Sequence, residues 1–179
     1  ARLAAIKPFR MLDIDEETYF RVISDKTASL IETCCTIGAM STTTNQDYIN
    51  AMKDFGYNLG ISFQIRDDIL DYEGSLSITG KRAGGDIKEK KRRIPLIYSL
   101  NQVSPVKAAE IRKIIKNGKD KSNVDSVINF VRENKGIDYA VDQARTYSQN
   151  AKKALKKLPD SQSKLALEAL VDFVVDRKN

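Results

Sequence analysis

Residues 63–74 read FQIRDDILDYEG, and their pattern predicts a buried helix that ends in a cluster of acidic residues. Apolar side chains occur on more than one side of this helix, which is typical of a helix inside a core. These residues are Ile61, Phe63, Ile65, Ile69 and Leu70. The acidic residues are Asp67, Asp68 and Asp71. Carboxylates are costly in an apolar setting unless they are paired or bind a metal ion, so we expect a functional site at this end of the helix.

The spacing of the aspartates favours a divalent metal ion. Asp67 and Asp71 are four residues apart, so a helix places them on one face about one turn apart. Carboxylates that close repel each other unless a cation lies between them, and Mg²⁺ prefers such oxygen ligands. We therefore expect Asp67, Asp68 and Asp71 to bind Mg²⁺, or Mn²⁺ in its place. An acidic triplet on a solvated helix face is the alternative interpretation.

A basic segment follows the aspartates at residues 80–95, which read GKRAGGDIKEKKRRIP. Seven basic and two acidic residues between Lys81 and Arg93 give a local charge of +5, whereas the whole chain carries +6. Lysine is a point charge suited to phosphate oxygens, so the segment predicts a diphosphate site beside the metal. A nucleic-acid-binding module, the alternative for a basic chain, would more often spread its charge along a helix with aromatic residues interleaved. We therefore expect no nucleic-acid partner.

The composition excludes several classes of site. The chain has 179 residues and no histidine, which excludes a Ser-His-Asp triad and the common zinc sites. Cys34 and Cys35 are adjacent, a spacing that suits no zinc site, and their helical surroundings predict small core residues. No apolar run reaches about 18 residues, so we expect no transmembrane segment. Scarce cysteine is typical of a cytoplasmic protein.

Helical patterns and helix-end signals cover most of the chain, and no strand-like alternation occurs, so the predicted class is all-α with one domain. The predicted helices run from Asp13 to about Met40, from Thr44 or Asn45 to Tyr72, from Pro95 to about Asn101, from Ser104 to Gly118, from Ser122 to Gly136, from Ile137 to Leu158 and from Ser161 onward. The residues of the last helix that are expected to pack are Leu165, Leu167, Leu170 and Val174.

Three segments resemble, in order, the motifs of the trans-isoprenyl diphosphate synthases, the polyprenyl synthetase family that includes farnesyl, geranylgeranyl and octaprenyl diphosphate synthases. Lys26-Thr27-Ala28 matches the KTA segment of the family. Residues 60–71 match its second aspartate-rich motif, GxxFQxxDDxxD, and residues 80–95 match its GKxxGxD…KxTxP tail. The resemblance implies that residues 11–179 are the C-terminal portion of a single isoprenoid synthase domain, an antiparallel helical bundle.

The resemblance also implies a reaction and roles for individual residues. Such enzymes are prenyltransferases that condense an allylic diphosphate with isopentenyl diphosphate through a carbocation, and they release pyrophosphate with the help of Mg²⁺. The residues that the resemblance assigns to catalysis are Lys26, Thr27 and Gln64. Those assigned to the diphosphate site are Lys26, Lys81, Lys91 and Phe63, and those assigned to the metal are Asp67, Asp68 and Asp71. A homodimer is implied for the full-length protein.

The chain departs from the family pattern in two ways. Arg93 stands where the family usually has threonine and Lys90 where it often has glycine, so the segment is more basic than the pattern. The family's first DDxxD motif has no counterpart, and residues 1–10, ARLAAIKPFR, match nothing expected upstream of the KTA segment. We therefore expect a fragment, with residues 1–10 not contiguous with the rest in the native protein.

The missing motif limits what this chain does by itself. One wall of the site is absent, and water that enters would quench a carbocation, so we expect the fragment alone to be inactive. A non-catalytic accessory subunit of a prenyl synthase and a class I terpene cyclase are the alternative functions. The product chain length is not readable, because its determinants belong to the absent half.

Overall fold

The computed structural model describes residues 15–73, 84–89, 91–117 and 120–177. Within these ranges the chain contains helices and no strand, which confirms the predicted all-α class. The helices are α1 Glu16–Ile23, α2 Ser29–Met40, α3 Gln46–Glu73, α4 Gly85–Lys88, α5 Ile94–Asn101, α6 Pro105–Asn117, α7 Lys121–Glu133, α8 Gly136–Leu155 and α9 Gln162–Asp176. A π-helical segment, Ser24–Ala28, joins α1 to α2.

The central element is α3, a helix of 28 residues that is about 42 Å long. Its predicted burial is confirmed, because Ile61, Ile65 and Ile69 have no exposed surface and pack against α1, α5 and α8. On another side, Phe55 and Leu59 pack against α8 and α9. A third apolar cluster joins α5, α6 and α7 to the C-terminal end of α3. The aspartates therefore lie between two parts of the core, one that contains Ile65 and Ile69 and one that contains Tyr72.

Helix ends follow the capping signals only in part. The carboxylate of Asp15 accepts a hydrogen bond from the Thr18 amide at 2.8 Å and caps α1, whereas the predicted cap Asp13 lies outside the described residues. The sequence predicts Thr44 or Asn45 as the cap of α3, and the cap is Asn45, whose side-chain oxygen accepts from the Asp47 amide at 2.9 Å. Ser161 caps α9 as predicted, with the Lys164 amide as donor.

The prediction that Gly136 ends a helix is wrong, because Gly136 begins α8. The chain turns at the preceding residue, Lys135, which has a positive φ of 56°. A Cβ atom added at Gly136 would lie 2.2 Å from the carbonyl oxygen of Pro95 and 2.3 Å from the hydroxyl of Ser99. Glycine stands here because α8 starts in close contact with α5.

The outward surfaces of α2 and α9 correct two further predictions. Cys34 is exposed, so the prediction that it is a core residue is wrong, whereas Cys35 is half-buried and packs against the core beside Gly56 of α3. Leu165 and Leu170 of α9 are 57% and 43% exposed, since only the α3-facing and α8-facing side of this helix packs. The exposed apolar residues of α1 and α2 are Val22, Leu30, Ile37 and Met40. No helix in the described part of the chain is long and apolar enough to cross a membrane.

The crossing of α3 over the start of α2 depends on small residues. A Cβ atom added at Gly60 would lie 2.6 Å from the Cα atom of Ala28, and one added at Gly56 would lie 2.8 Å from the Ile31 carbonyl oxygen. Backbone cannot yield as a flexible side chain can, so the two helices would have to separate. This close approach sets the position of the π-helical segment against α3.

We predict that Gly60→Ala lowers the free energy of unfolding by about 1–3 kcal/mol, because the methyl group overpacks the crossing. Gly38→Ala is the matched control. An added Cβ at Gly38 meets no atom within 4 Å, so alanine there is expected to stabilise α2 by about 0.5–1 kcal/mol. Urea unfolding of both variants measures the two effects, and equal changes of the same sign would contradict the close-approach explanation.

Candidate functional site

A chain of hydrogen bonds joins the KTA segment to the aspartate motif. The Thr27 hydroxyl donates to Oε1 of Gln64 at 3.1 Å, and Nε2 of Gln64 donates to Oδ1 of Asp68 at 3.3 Å. Gln64 and Asp68 are one helical turn apart on the buried side of α3. Thr27 reaches them from the π-helical segment, a widened turn of the kind often found at functional sites. Residues far apart in the sequence therefore share one polar contact network.

Asp68 is the buried centre of this network, with only 1% of its surface exposed. The Tyr19 hydroxyl of α1 donates to its Oδ2 at 2.7 Å, and Nε of Arg93 lies 3.4 Å from its Oδ1. Burial raises the pKa of Asp68 to about 6, although Arg93 and the hydrogen bond from Tyr19 act in the opposite direction. The same burial, together with the nearby Asp68 carboxylate, raises the pKa of Tyr19, so its hydroxyl stays a donor.

Asp86 lies on the other side of Arg93 and pairs with two basic residues. Nε of Arg93 donates to Oδ2 of Asp86 at 2.6 Å, and Nζ of Lys91 lies 3.4 Å from Oδ1. Burial would raise the pKa of Asp86, but Arg93 and Lys91 outweigh it and lower that pKa. Lys91 also contacts Glu89 at 2.5 Å. Lys91, a predicted diphosphate ligand, is thus engaged by carboxylates.

Asp71 connects α3 to the residues that begin α4. Its two carboxylate oxygens accept hydrogen bonds from the backbone amides of Gly85 at 3.0 Å and Asp86 at 3.1 Å. Its carbonyl oxygen accepts from the Gly84 amide at 2.8 Å. Burial raises the pKa of Asp71, an effect that these amide donors oppose. The aspartate motif and the GKxxGxD tail are therefore in direct contact.

Asp67 faces outward, and Arg177, the residue that follows α9, contacts its carboxylate. Nη2 of Arg177 donates to the Asp67 carboxylate and, at 3.3 Å, to the Phe63 carbonyl oxygen. The guanidinium lies 4.1 Å from the centre of the Phe63 ring, a cation–π distance. The carbonyl oxygen of Arg177 accepts in turn from Arg66 at 2.8 and 3.0 Å. Phe63 therefore packs under the residue that follows α9.

The predicted cationic residues differ in their surroundings. Lys26 is exposed and forms no salt bridge with any described residue, so its ammonium can meet a ligand. Lys81 lies outside the described residues. The structure thus brings Thr27, Gln64 and Asp68 together, whereas the side chain of Lys26 is exposed and contacts none of these three residues in the hydrogen bonds and salt bridges of the described chain.

The donor atoms suit a divalent ion, although the described side chains do not enclose one. Carboxylate oxygens are the ligands that Mg²⁺ prefers, and the Asp67 side chain keeps 44% exposure. The Tyr72 hydroxyl is buried near these carboxylates and has no hydrogen-bond partner among the described residues. In the described ranges no three His, Cys, Asp or Glu side chains converge on one point. An ion here would therefore keep several waters.

Sequence reasoning missed three residues of the site. Tyr19 precedes the KTA segment in an ordinary amphipathic helix, and no motif marks it. The pairing of Arg93 with two aspartates was signalled only by its departure from the usual threonine. Arg177 reaches Asp67 across 110 residues of sequence, and no local pattern indicates such a contact.

We predict that the pH dependence of stability reports on Asp68. Its folded-state pKa of about 6 exceeds the ordinary value of 3.8, so folding favours the protonated carboxyl. Its stabilising contribution is therefore present below about pH 4 and is lost as the pH rises through 6, a change of roughly 3 kcal/mol. Asp68→Asn cannot ionise. The stability of the unsubstituted protein relative to Asp68→Asn should fall by that amount between about pH 4 and pH 7.

Urea unfolding at a series of pH values measures this difference. Asp142→Asn, at an exposed position of α8, is the control and should leave the pH dependence unchanged. A stability difference between the unsubstituted protein and Asp68→Asn that stays flat over this range would contradict the buried, proton-binding carboxyl.

The chain is similar in sequence to known prenyl synthases. The polyprenyl synthetase family model matches residues 6–132. The match therefore starts inside the segment 1–10. The octaprenyl diphosphate synthase of Haemophilus influenzae is 35% identical over 165 residues, which cover 92% of this chain and 50% of that protein. The geranylfarnesyl diphosphate synthase of Aeropyrum pernix is 31% identical over 167 residues, 92% of this chain and 52% of that protein.

Solved structures of prenyl synthases are also similar to this chain in fold. The geranylgeranyl pyrophosphate synthetase of Pyrococcus horikoshii superposes with a TM-score of 0.87 at 33% identity, over 92% of this chain and 50% of that one. The polyprenyl synthase of Caulobacter crescentus, solved with calcium and isoprenyl diphosphate, gives a TM-score of 0.85 at 31% identity, over 94% of this chain and 52% of that one. The chain spans about half the length of the curated relatives it matches. From its motifs, its fold and the extent of the family match, the chain belongs to the polyprenyl synthetase family.

Proposed function

We propose that this chain is the C-terminal half of a trans-polyprenyl diphosphate synthase, a prenyltransferase that joins an allylic diphosphate to isopentenyl diphosphate. The observation that carries the proposal is the contact among all three family motifs. Thr27 of the KTA segment bonds Gln64, which bonds Asp68 of the aspartate motif, and Asp71 of that motif bonds the amides of Gly85 and Asp86 in the tail. An acidic triplet on a solvated helix face, the alternative interpretation, would not be expected to contact both of the other motifs.

The proposed reaction begins with cleavage of the allylic C1–O bond, and both electrons of that bond leave with the diphosphate. The double bond of isopentenyl diphosphate supplies the electron pair of the new carbon–carbon bond. Loss of a proton from the adjacent carbon then restores a double bond. Negative charge builds up on the leaving diphosphate and positive charge on C1. Catalysis therefore needs cations beside the diphosphate and electron-rich dipoles beside C1.

The chain's own residues suit these two needs. The ammonium of Lys26, exposed and without a salt bridge to described residues, is available to the diphosphate oxygens. The Thr27 and Gln64 side chains hold each other in place, and their oxygens would face the positive charge at C1. Lys81 and Lys91 would add positive charge from the tail, and Phe63 would contact the substrate beside Asp67.

We further propose that Asp67, Asp68 and Asp71 hold Mg²⁺, directly or through its waters, with Mn²⁺ as a substitute. The chemistry supplied there is positive charge against the departing diphosphate. Asp67 offers the most accessible carboxylate of the three, Asp71 is half-buried, and Asp68 is buried and orients its neighbours through hydrogen bonds. The full-length protein is proposed to be a cytoplasmic homodimer, and the chain by itself to be inactive.

A chimera tests the transferase activity. Residues 11–179 replace the matched half of the Haemophilus influenzae octaprenyl diphosphate synthase, and incorporation of labelled isopentenyl diphosphate is measured. We predict an active chimera whose kcat falls about 10²- to 10³-fold with Asp67→Asn, by analogy with the loss of one preorganised charge-stabilising group. Asp142→Asn should leave kcat unchanged. A folded but inactive chimera, or an active one indifferent to Asp67→Asn, would contradict the proposal.

Binding of pyrophosphate to the chain alone tests the diphosphate site without turnover. In isothermal titration, binding should require Mg²⁺, and Lys26→Ala should weaken it about tenfold, because a charge-assisted contact is lost. Lys107→Ala is the control, since Lys107 is exposed and pairs with Glu110 on α6. Equal affinities of the Lys26→Ala and Lys107→Ala variants would exclude Lys26 from the site.

A further inference from the structure

Arg93 places a positive charge inside the carboxylate cluster. Its Nε atom lies 3.4 Å from Oδ1 of Asp68 and 2.6 Å from Oδ2 of Asp86. The side chains are 16% exposed for Arg93, 2% for Asp68 and 18% for Asp86. Charges that are this buried are tolerated only when they are paired. The guanidinium therefore balances two carboxylates that come from different motifs.

The other partners of Asp68 are neutral. They are the Tyr19 hydroxyl and the Gln64 amide, which donate hydrogen bonds but supply no net charge. Among the described residues, Arg93 is the sole cation within salt-bridge distance of Asp68. Lys91 contacts Asp86 and Glu89 instead and is more exposed, at 35%. In the described part of the site, positive charge reaches Asp68 from Arg93 alone.

The backbone holds Arg93 in this position. Its carbonyl oxygen accepts hydrogen bonds from the amides of Leu96 and Ile97, each at 3.0 Å, so Arg93 is the N-terminal cap of α5. A cation at the N-terminus of a helix is unfavourable in the field of the helix dipole. The two aspartates offset this cost, which links the position of Arg93 to their negative charge.

We infer that Arg93 is a built-in counter-ion of Asp68 and Asp86. The guanidinium holds these two carboxylates together without a metal ion, and it weakens the affinity of the aspartate site for divalent cations. A divalent ion and the guanidinium are drawn to the same carboxylates and repel each other. Without Arg93, Asp68 would have no cation within salt-bridge distance among the described residues, whereas Asp86 would keep only Lys91. This inference rests on the proposed metal site, and it makes Arg93 an affinity-determining residue of this chain.

Mn²⁺ binding to the whole chain, followed by electron paramagnetic resonance of the free ion, tests the inference. Arg93→Thr should bind Mn²⁺ at least about tenfold more tightly than the unsubstituted protein, because a neighbouring positive charge is removed. Arg93→Gln, which keeps a donor for Asp86, should shift the affinity in the same direction and guards against misfolding of the threonine variant. Arg145→Thr removes the same charge from an exposed position of α8 and should change nothing.

A metal-free measurement examines the pairing itself. With a chelator present, Arg93→Gln should destabilise the protein more when Asp68 is intact than in an Asp68→Asn background, and added Mn²⁺ should raise the Tm of Arg93→Gln more than that of the unsubstituted protein. If the unsubstituted protein binds Mn²⁺ and the Arg93 variants bind it no more tightly, the inference is wrong while the metal site stands. If none of them binds Mn²⁺, the metal site and the inference fail together.

Discussion

A carboxylate buried in an apolar helix bundle is the constraint on which the rest of this site depends. Asp68 is 1% exposed on the side of α3 that packs into the core. An isolated charge there would cost several kcal/mol, so the surrounding elements are arranged to satisfy it. α1 supplies the Tyr19 hydroxyl, α3 itself supplies the Gln64 amide, and the start of α5 supplies Arg93. Satisfying one side chain therefore fixes how three helices meet.

The contacts around Asp68 extend to the neighbouring aspartates, each of which joins α3 to a different part of the chain. Asp71 bonds the backbone at the start of α4, and Asp67 bonds Arg177 after α9. The polar groups are thus distributed so that the aspartate motif is the meeting point of the KTA segment, the tail and the C-terminal residues. Rigid support of this kind suits the proposed role of the site, because a misplaced charge would stabilise a leaving diphosphate little.

The features that sequence alone could predict are those with a local cause. Apolar periodicity predicted α3 and its burial, and matching motifs predicted the family. Helix-cap signals predicted Ser161 and narrowed the cap of α3 to Thr44 or Asn45. The features it missed have tertiary causes. Glycine is required at position 136 because α8 begins in close contact with α5. The sequence pattern does not distinguish a glycine needed for such a contact from a glycine that ends a helix. Cys34 is exposed because it lies on the side of α2 that does not pack against α3. Apolar residues occur on both faces of α2, so their pattern does not indicate which face is buried.

Crystals of the chain soaked with Mn²⁺ and pyrophosphate, with anomalous scattering used to locate the metal, would show whether the aspartates hold a metal ion beside a diphosphate. We expect an anomalous peak within bonding distance of carboxylate oxygens of Asp67 and Asp71, with pyrophosphate between the ion and the ammonium of Lys26. Bound pyrophosphate at a different surface, or a peak remote from α3 with the aspartates still in their present pairs, would contradict it.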